Sequence, residues 1–181
     1  SYYPEFPDPI YAFYTWNTNF YEPTLRFTYE SLTSPYSIYE LNMDTGNKVI
    51  LKQQEIMDTF DSNNYISERI FADAIDGSQI PISIVYKKDL FNKDGNNPVY
   101  LTAYGAYGDN SDPYFSTARL SLLDRGIIYA IAHVRGGKEM GEHWYEQGKM
   151  LNKKNTFTDF IACSEFLKQE KYAGELVIDG G

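Results

Sequence analysis

Cysteine is almost missing from this 181-residue chain. The single Cys163 excludes an internal disulfide and any multi-cysteine metal site. Histidine is nearly as scarce. His133 and His143 alone do not make a histidine-rich metal centre, and neither a metal nor another cofactor is expected. Basic residues are outnumbered, with 16 Lys and Arg against 25 Asp and Glu and a net charge of −9. Such a surface is unsuited to nucleic acid; it suits a cationic ligand, or simply keeps a protein dissolved. The longest near-continuous apolar stretch, Gly126–Val134, is far shorter than the roughly 20 residues that cross a bilayer as a helix. Neither G-x-x-x-x-G-K nor G-x-G-x-x-G occurs, which leaves nucleotide binding without support. The chain starts at Ser1 rather than Met, with no charged-then-apolar leader, so the true start of the protein is expected to lie upstream of Ser1. The expected location is the cytoplasm.

Aromatic residues are plentiful and unevenly spread: of 30 Phe, Trp and Tyr, 13 fall within residues 1–39. Residues 1–54 read as four short strands, Ile10–Trp16, Leu25–Glu30, Ser37–Leu41 and Lys48–Lys52, rich in Tyr, Phe, Thr and Ile. Asp44-Thr45-Gly46 marks the turn between the last two. Four antiparallel strands at this spacing resemble one propeller blade. One blade cannot bury both of its faces, so neighbouring blades are expected in a longer parent chain. Asp76-Gly77-Ser78 then predicts a hairpin between Tyr65–Ala74 and Ile80–Lys87.

From residue 98 the pattern becomes strand, helix, strand, helix, strand, the signature of an α/β sheet. Val99–Tyr104 and Ile127–Val134 are apolar strands, and Phe115–Asp124 has helical spacing. Lys138–Gly148 reads as a short helix. Asn155–Gln169 reads as a longer one, capped by Asn155 or Thr156, with Phe157, Phe160, Ile161, Ser164 and Leu167 on one face. Leu176–Ile178 is a final strand before Gly180-Gly181.

Gly180-Gly181 after a strand fits the start of a G-x-S-x-G nucleophile elbow, with the serine next. In that fold the acid and histidine follow the serine, so His133 and His143 are expected to be structural. The Gly-rich loop Tyr104–Gly108 can hold a phenol over the sheet as an oxyanion donor, or can be an aromatic turn packing on itself. Asp109 and Asp112 can bind a cationic side chain. Asp112, before Pro113 and a helix start, can equally serve as a cap. Arg135-Gly136-Gly137 can bind phosphate or seat an arginine in a buried network. Cys163 is read as packing.

Several segments then carry a resemblance: Tyr104-Gly105-Ala106-Tyr107-Gly108, Arg119–Gly126, Ala130–Gly137, Trp144-Tyr145-Glu146, Gly148-Lys149 and Asn155–Phe160, with Ser31-Leu32-Thr33-Ser34-Pro35, Ser67-Glu68-Arg69 and Ile80–Tyr86 upstream. Together they resemble the prolyl oligopeptidase family of serine peptidases, in particular its oligopeptidase B (protease II) branch. The resemblance implies the all-β terminal part of a β-propeller joined to the N-terminal half of an α/β-hydrolase domain. Residues 1–62 would end the propeller, and residues 63–181 would hold the connecting hairpin and the first half of the peptidase domain. The family continues after its Gly-Gly with Ser-Ala-Gly-Gly. The catalytic Ser, Asp and His are therefore expected beyond Gly181, and the 181 residues alone are expected to be inactive.

By the same resemblance, Tyr104 is the oxyanion-hole side chain. The two acids that bind a second basic substrate residue fall on Asp112 and on Tyr114, which is not an acid; Asp109 is the candidate to compensate. Lys138 stands where the family has glycine or another small residue, and is expected to alter the loop or weaken cation binding nearby. The implied function is hydrolysis of short peptides after Lys or Arg. The expected partners are short basic peptides and the rest of the parent chain, with no nucleic acid and no membrane. The alternatives are a non-catalytic peptide- or partner-binding module, distinguished by the residue after Gly181, and an aminopeptidase-like relative of the same fold.

Overall fold

The computed structural model describes residues 5–17, 19, 21–56 and 60–180. Gly181, the second residue of the expected elbow, lies outside the described residues. Strands β1 (Tyr11–Thr15), β2 (Thr24–Ser31), β3 (Ser37–Asn42) and β4 (Lys48–Gln53) form an antiparallel meander in chain order. Alternation places Phe27, Tyr29 and Leu41 in its core, with Phe6 stacked on Tyr29 at 4.6 Å and Tyr39 stacked on Phe27 at 5.2 Å between centroids. The strand β4 is exposed along its whole length, leaving Val49, Ile50 and Leu51 open. An open apolar edge of this kind is what a repeat unit presents to its neighbour.

The second sheet has the order β5-β6-β8-β7-β9. β5 (Tyr65–Asp73) and β6 (Gln79–Lys87) form the predicted hairpin, and β6 runs antiparallel to β8 (Ile128–Ala132). β7 (Pro98–Ala103) lies parallel to β8 on one side and to β9 (Glu175–Gly180) on the other. Helices cover it: α1 (Thr117–Leu123), the single turn α2 (Glu142–Glu146) and α3 (Lys154–Gln169). Ile80, Ile82, Ile84, Leu101 and Ala130 pack against Cys163 and Leu167 of α3. On the other face Val85 and Ile131 meet Leu123 of α1 and Leu32 from the end of β2, so the blade helps close this core. Each of these aliphatic side chains contributes roughly 1.5–3 kcal/mol by leaving water.

Three expectations change. The helix predicted over 138–148 shrinks to Glu142–Glu146, because Gly141 at φ 95° cannot continue a right-handed helix. Helix α3 starts at Lys154 without a side-chain cap. Asn155 instead donates to the Gln147 carbonyl and Thr156 to the Arg135 carbonyl. Its buried face is Thr156, Asp159, Cys163 and Leu167, whereas Phe157 and Ile161 are exposed. Of the expected face Phe160 and Leu167 pack inward, and Asp159, paired with Arg135, shares the buried side.

Candidate active site

β7 and β9 are parallel, with Ala103 opposite Gly180, so their C-terminal ends lie side by side. The Tyr104 loop therefore leaves the sheet next to the last residue of β9, at the strand-end edge where open α/β sheets carry their ligands. The loop is held from beneath. Gly105 has φ 63°, and a Cβ there would lie 2.5 Å from Val134 Cγ2 and 2.6 Å from Thr156 Cγ2. Gly136 has φ 109°, and a Cβ there would overlap the Gly105 carbonyl oxygen. The Gly108 N–H donates to the Gly136 carbonyl at 2.9 Å, and Lys153 Nζ donates to the Gly105 carbonyl at 2.6 Å.

The same bed explains Arg135-Gly136-Gly137. Arg135 is 3% exposed, and its guanidinium binds Asp159 with a two-pronged fork, Nε to Oδ2 at 2.8 Å and Nη2 to Oδ1 at 2.6 Å. Its Nη1 reaches Asp76 Oδ2 in the hairpin turn at 2.6 Å. Hydrogen bonding to Arg135 holds the Asp76 carboxyl well down, at about 2. Of the two sequence readings, this arginine takes the buried network rather than phosphate.

Tyr104 and Asp112 line one pocket of about 330 Å³, together with Ser111, Tyr114, Arg119, Tyr129 and Ile131. Asp109 is exposed and outside that lining. Asp112 is not a helix cap: Ser116 fills that position, accepting from the Arg119 N–H at 3.3 Å. The Asp112 carboxylate instead receives the hydroxyls of Tyr14, from β1 of the blade, and of Tyr114, the latter at 3.1 Å. Tyr14 and Tyr114 are themselves 3.0 Å apart at their oxygens. Burial and the Asp112 carboxylate beside it push the Tyr14 phenol up. Arg119 donates to the Tyr114 carbonyl at 2.7 Å and lies 4.1 Å from the Tyr129 ring centroid. Lys138 directs its charge to Glu142 at 2.9 Å, while its stem covers Gly108.

One constellation imitates a catalytic triad. Ser83 Oγ is 2.7 Å from His133 Nε2, and His133 Nδ1 is 3.5 Å from Glu139 Oε1. Ser83 is fully buried and His133 is 2% exposed, so no substrate reaches the hydroxyl. The longer separation is beyond a good hydrogen bond. Burial pushes the His133 ring below its ordinary value and keeps it neutral. His133 is a core residue, as its place in the sequence suggests; exposed His143 lies on α2, away from the Tyr104 pocket lining. Sequence reasoning did not single out Arg119, which lines the pocket, Tyr14, which reaches Asp112, or Glu139, which accepts the Ser111 N–H.

A sequence profile described as the Prolyl oligopeptidase family matches residues 113–181. Dipeptidyl aminopeptidase BI of Pseudoxanthomonas mexicana is 49% identical over 152 residues, which cover 83% of this chain and 21% of that protein. Protease 2 of Moraxella lacunata is 39% identical over 91% of this chain and 24% of its own length. Among solved structures, oligopeptidase B from Leishmania major superposes with a TM-score of 0.88 at 41% identity, over 97% of this chain and 25% of that one. Oligopeptidase B from Trypanosoma brucei with covalently bound antipain gives 0.89 at 38% identity, over 97% and 26%. The chain thus spans about a quarter of the length of these relatives. Over residues 113–181 the chain matches the prolyl oligopeptidase family, and over nearly its whole length it is similar to the oligopeptidase B branch.

Proposed function

We propose that the protein containing this chain is a serine oligopeptidase that cleaves short peptides after basic residues, and that Tyr104 and Asp112 belong to its active site. The observation that carries this reading is the meeting of Tyr104 and Asp112 in one pocket, at the edge where β9 ends beside Tyr104. A serine placed on an elbow after Gly181 adds to the peptide carbonyl, and its proton passes to a histidine oriented by an acid elsewhere in the protein. The Tyr104 O–H donates to the oxygen as negative charge gathers on it. Asp112 supplies a carboxylate for a substrate ammonium or guanidinium. Tyr114 shapes that carboxylate by its hydrogen bond, and Asp109 adds negative charge at the rim.

The domain division falls at 62/63, between the blade and the hydrolase sheet, in keeping with two separate sheets. Among the described residues no helix is long and apolar enough to cross a membrane. We place the protein in the cytoplasm; in this chain Cys163 is a free, buried thiol.

The test is steady-state hydrolysis of an arginine-amide chromogenic peptide by the full-length protein and its Tyr104→Phe variant. The variant should lose roughly ten- to a thousandfold in kcat with little change in KM. An unchanged kcat removes Tyr104 from the chemistry, and absence of turnover by the parent protein removes the peptidase reading.

A further inference from the structure

The loop that carries Asp112 is gripped from below by two consecutive residues of another loop. The Lys138 N–H donates to Asn110 Oδ1 at 3.2 Å, and the Ser111 N–H donates to Glu139 Oε1 at 2.9 Å. The Glu139 side chain is only 10% exposed, and its Oε2 is buried without a hydrogen-bond partner. The fold makes room for it: a Cβ on Gly137 would overlap Glu139 Oε2 and stand 3.0 Å from the Asp109 carbonyl oxygen. Burial raises the Glu139 carboxyl, but His133 and the Ser111 N–H outweigh burial and hold it below the usual range. The Arg69 guanidinium, on an exposed position of β5, adds a favourable charge interaction with Glu139.

A carboxylate in the interior with one oxygen unpaired is an expensive way to fill space, since an apolar side chain would avoid the desolvation cost. What the carboxylate provides is a charged acceptor for one particular backbone N–H, that of the residue before Asp112. We propose that Glu139 is a positioning residue for cation recognition: by anchoring the Ser111 N–H it fixes the backbone that aims the Asp112 carboxylate into the Tyr104 pocket. This rests on the cation-binding reading of Asp112 given above. Glu139 touches no substrate itself; it sets where Asp112 stands between Tyr14 and Tyr114.

The experiment uses the full-length protein and two chromogenic arginine-amides, one with a basic and one with a neutral residue before the arginine. Glu139→Asp keeps the charge but is one methylene short of Ser111. It should raise KM for the dibasic peptide roughly tenfold relative to the monobasic one, as loss of a hydrogen bond to a charged group does. The ratio of the two kcat values should stay as in the parent. Glu139→Gln keeps a neutral acceptor at the right reach and should recover part of the KM that Glu139→Asp loses. If Asp112→Asn costs the dibasic peptide its KM while Glu139→Asp does not, the positioning role is overturned alone. If Asp112→Asn changes neither KM, the reading of Asp112 falls and this proposal falls with it. Should Glu139→Asp fail to fold, amide exchange in the unmodified protein decides: a protected Ser111 N–H supports the anchor, and one exchanging like open loop overturns it.

Discussion

Arg135 places a full positive charge in the interior, 3% exposed, between Asp159 on α3 and Asp76 in the hairpin turn. Three acceptor oxygens use its planar fork, a geometry that lysine cannot copy. Taking away one partner of such a pair leaves an unpaired charge in the core. Arg135→Met should therefore destabilise the full-length protein by about 3–5 kcal/mol. Replacing both members, Arg135→Met with Asp159→Leu, should restore part of that loss, because two apolar groups need no mutual solvation. Urea unfolding followed by fluorescence checks both, and a double variant no better than the single one would show that the pair is not the reason. The pH sign follows from Asp76. Its folded pKa, about 2, is lower than that of an unfolded aspartate, so its share of stability is complete near neutrality and fades as pH falls toward 2.

Among the elements, strands were readable because alternation and Asp-Gly turns are local signals, and β5, β6 and the blade fall where those signals put them. Helix α3 was readable as a helix but not in its facing, since the partner that buries Asp159 stands 24 residues away. The site divides in the same way. Tyr104 is marked by its own glycine-rich loop. Glu139 acts 28 residues from Ser111, and Tyr14 acts 98 residues from Asp112, separations over which composition and periodicity carry nothing. The bed beneath the Tyr104 loop is an element-scale device, and Gly136 tests it. Gly136→Ala places a methyl against the Gly105 carbonyl at φ 109°, so the Tyr104 loop must shift. A displacement of that kind should lower kcat about a hundredfold. Gly77→Ala is the control: φ is 83°, but nothing lies within 4 Å of the new methyl. It should cost only backbone strain of about 1–2 kcal/mol and leave kcat alone. Equal loss of kcat in the two variants would mean that the effect is general destabilisation.

At the scale of the whole chain, the blade and the α/β sheet meet, among the described residues, through polar contacts to one short segment, residues 112–115, and through one apolar contact at Leu32. Tyr14 reaches Asp112 and Tyr114, Glu30 Oε2 accepts the Phe115 N–H at 2.9 Å, and Leu32 enters the core formed by Tyr65, Val85, Leu123 and Ile131. The polar contacts centre on Asp112 and Tyr114, which line the pocket, and the apolar one lies in a separate core cluster, so separating the two sheets must break the contact at Asp112. Tyr14→Phe removes the hydroxyl and little else. Its hydrogen bonds to a carboxylate and a phenol are partly exposed, so the loss should be close to 1 kcal/mol, or about a fivefold rise in the population of the opened arrangement. Cleavage at the connection between β4 and β5 by a limiting amount of protease follows that population when opening is fast. Tyr14→Phe should therefore be nicked there about fivefold faster than the parent protein, with Leu32 and Glu30 still in place. Nicking at the parental rate would mean that the apolar contact alone holds the blade against the sheet, and that Tyr14 serves Asp112 without joining the two.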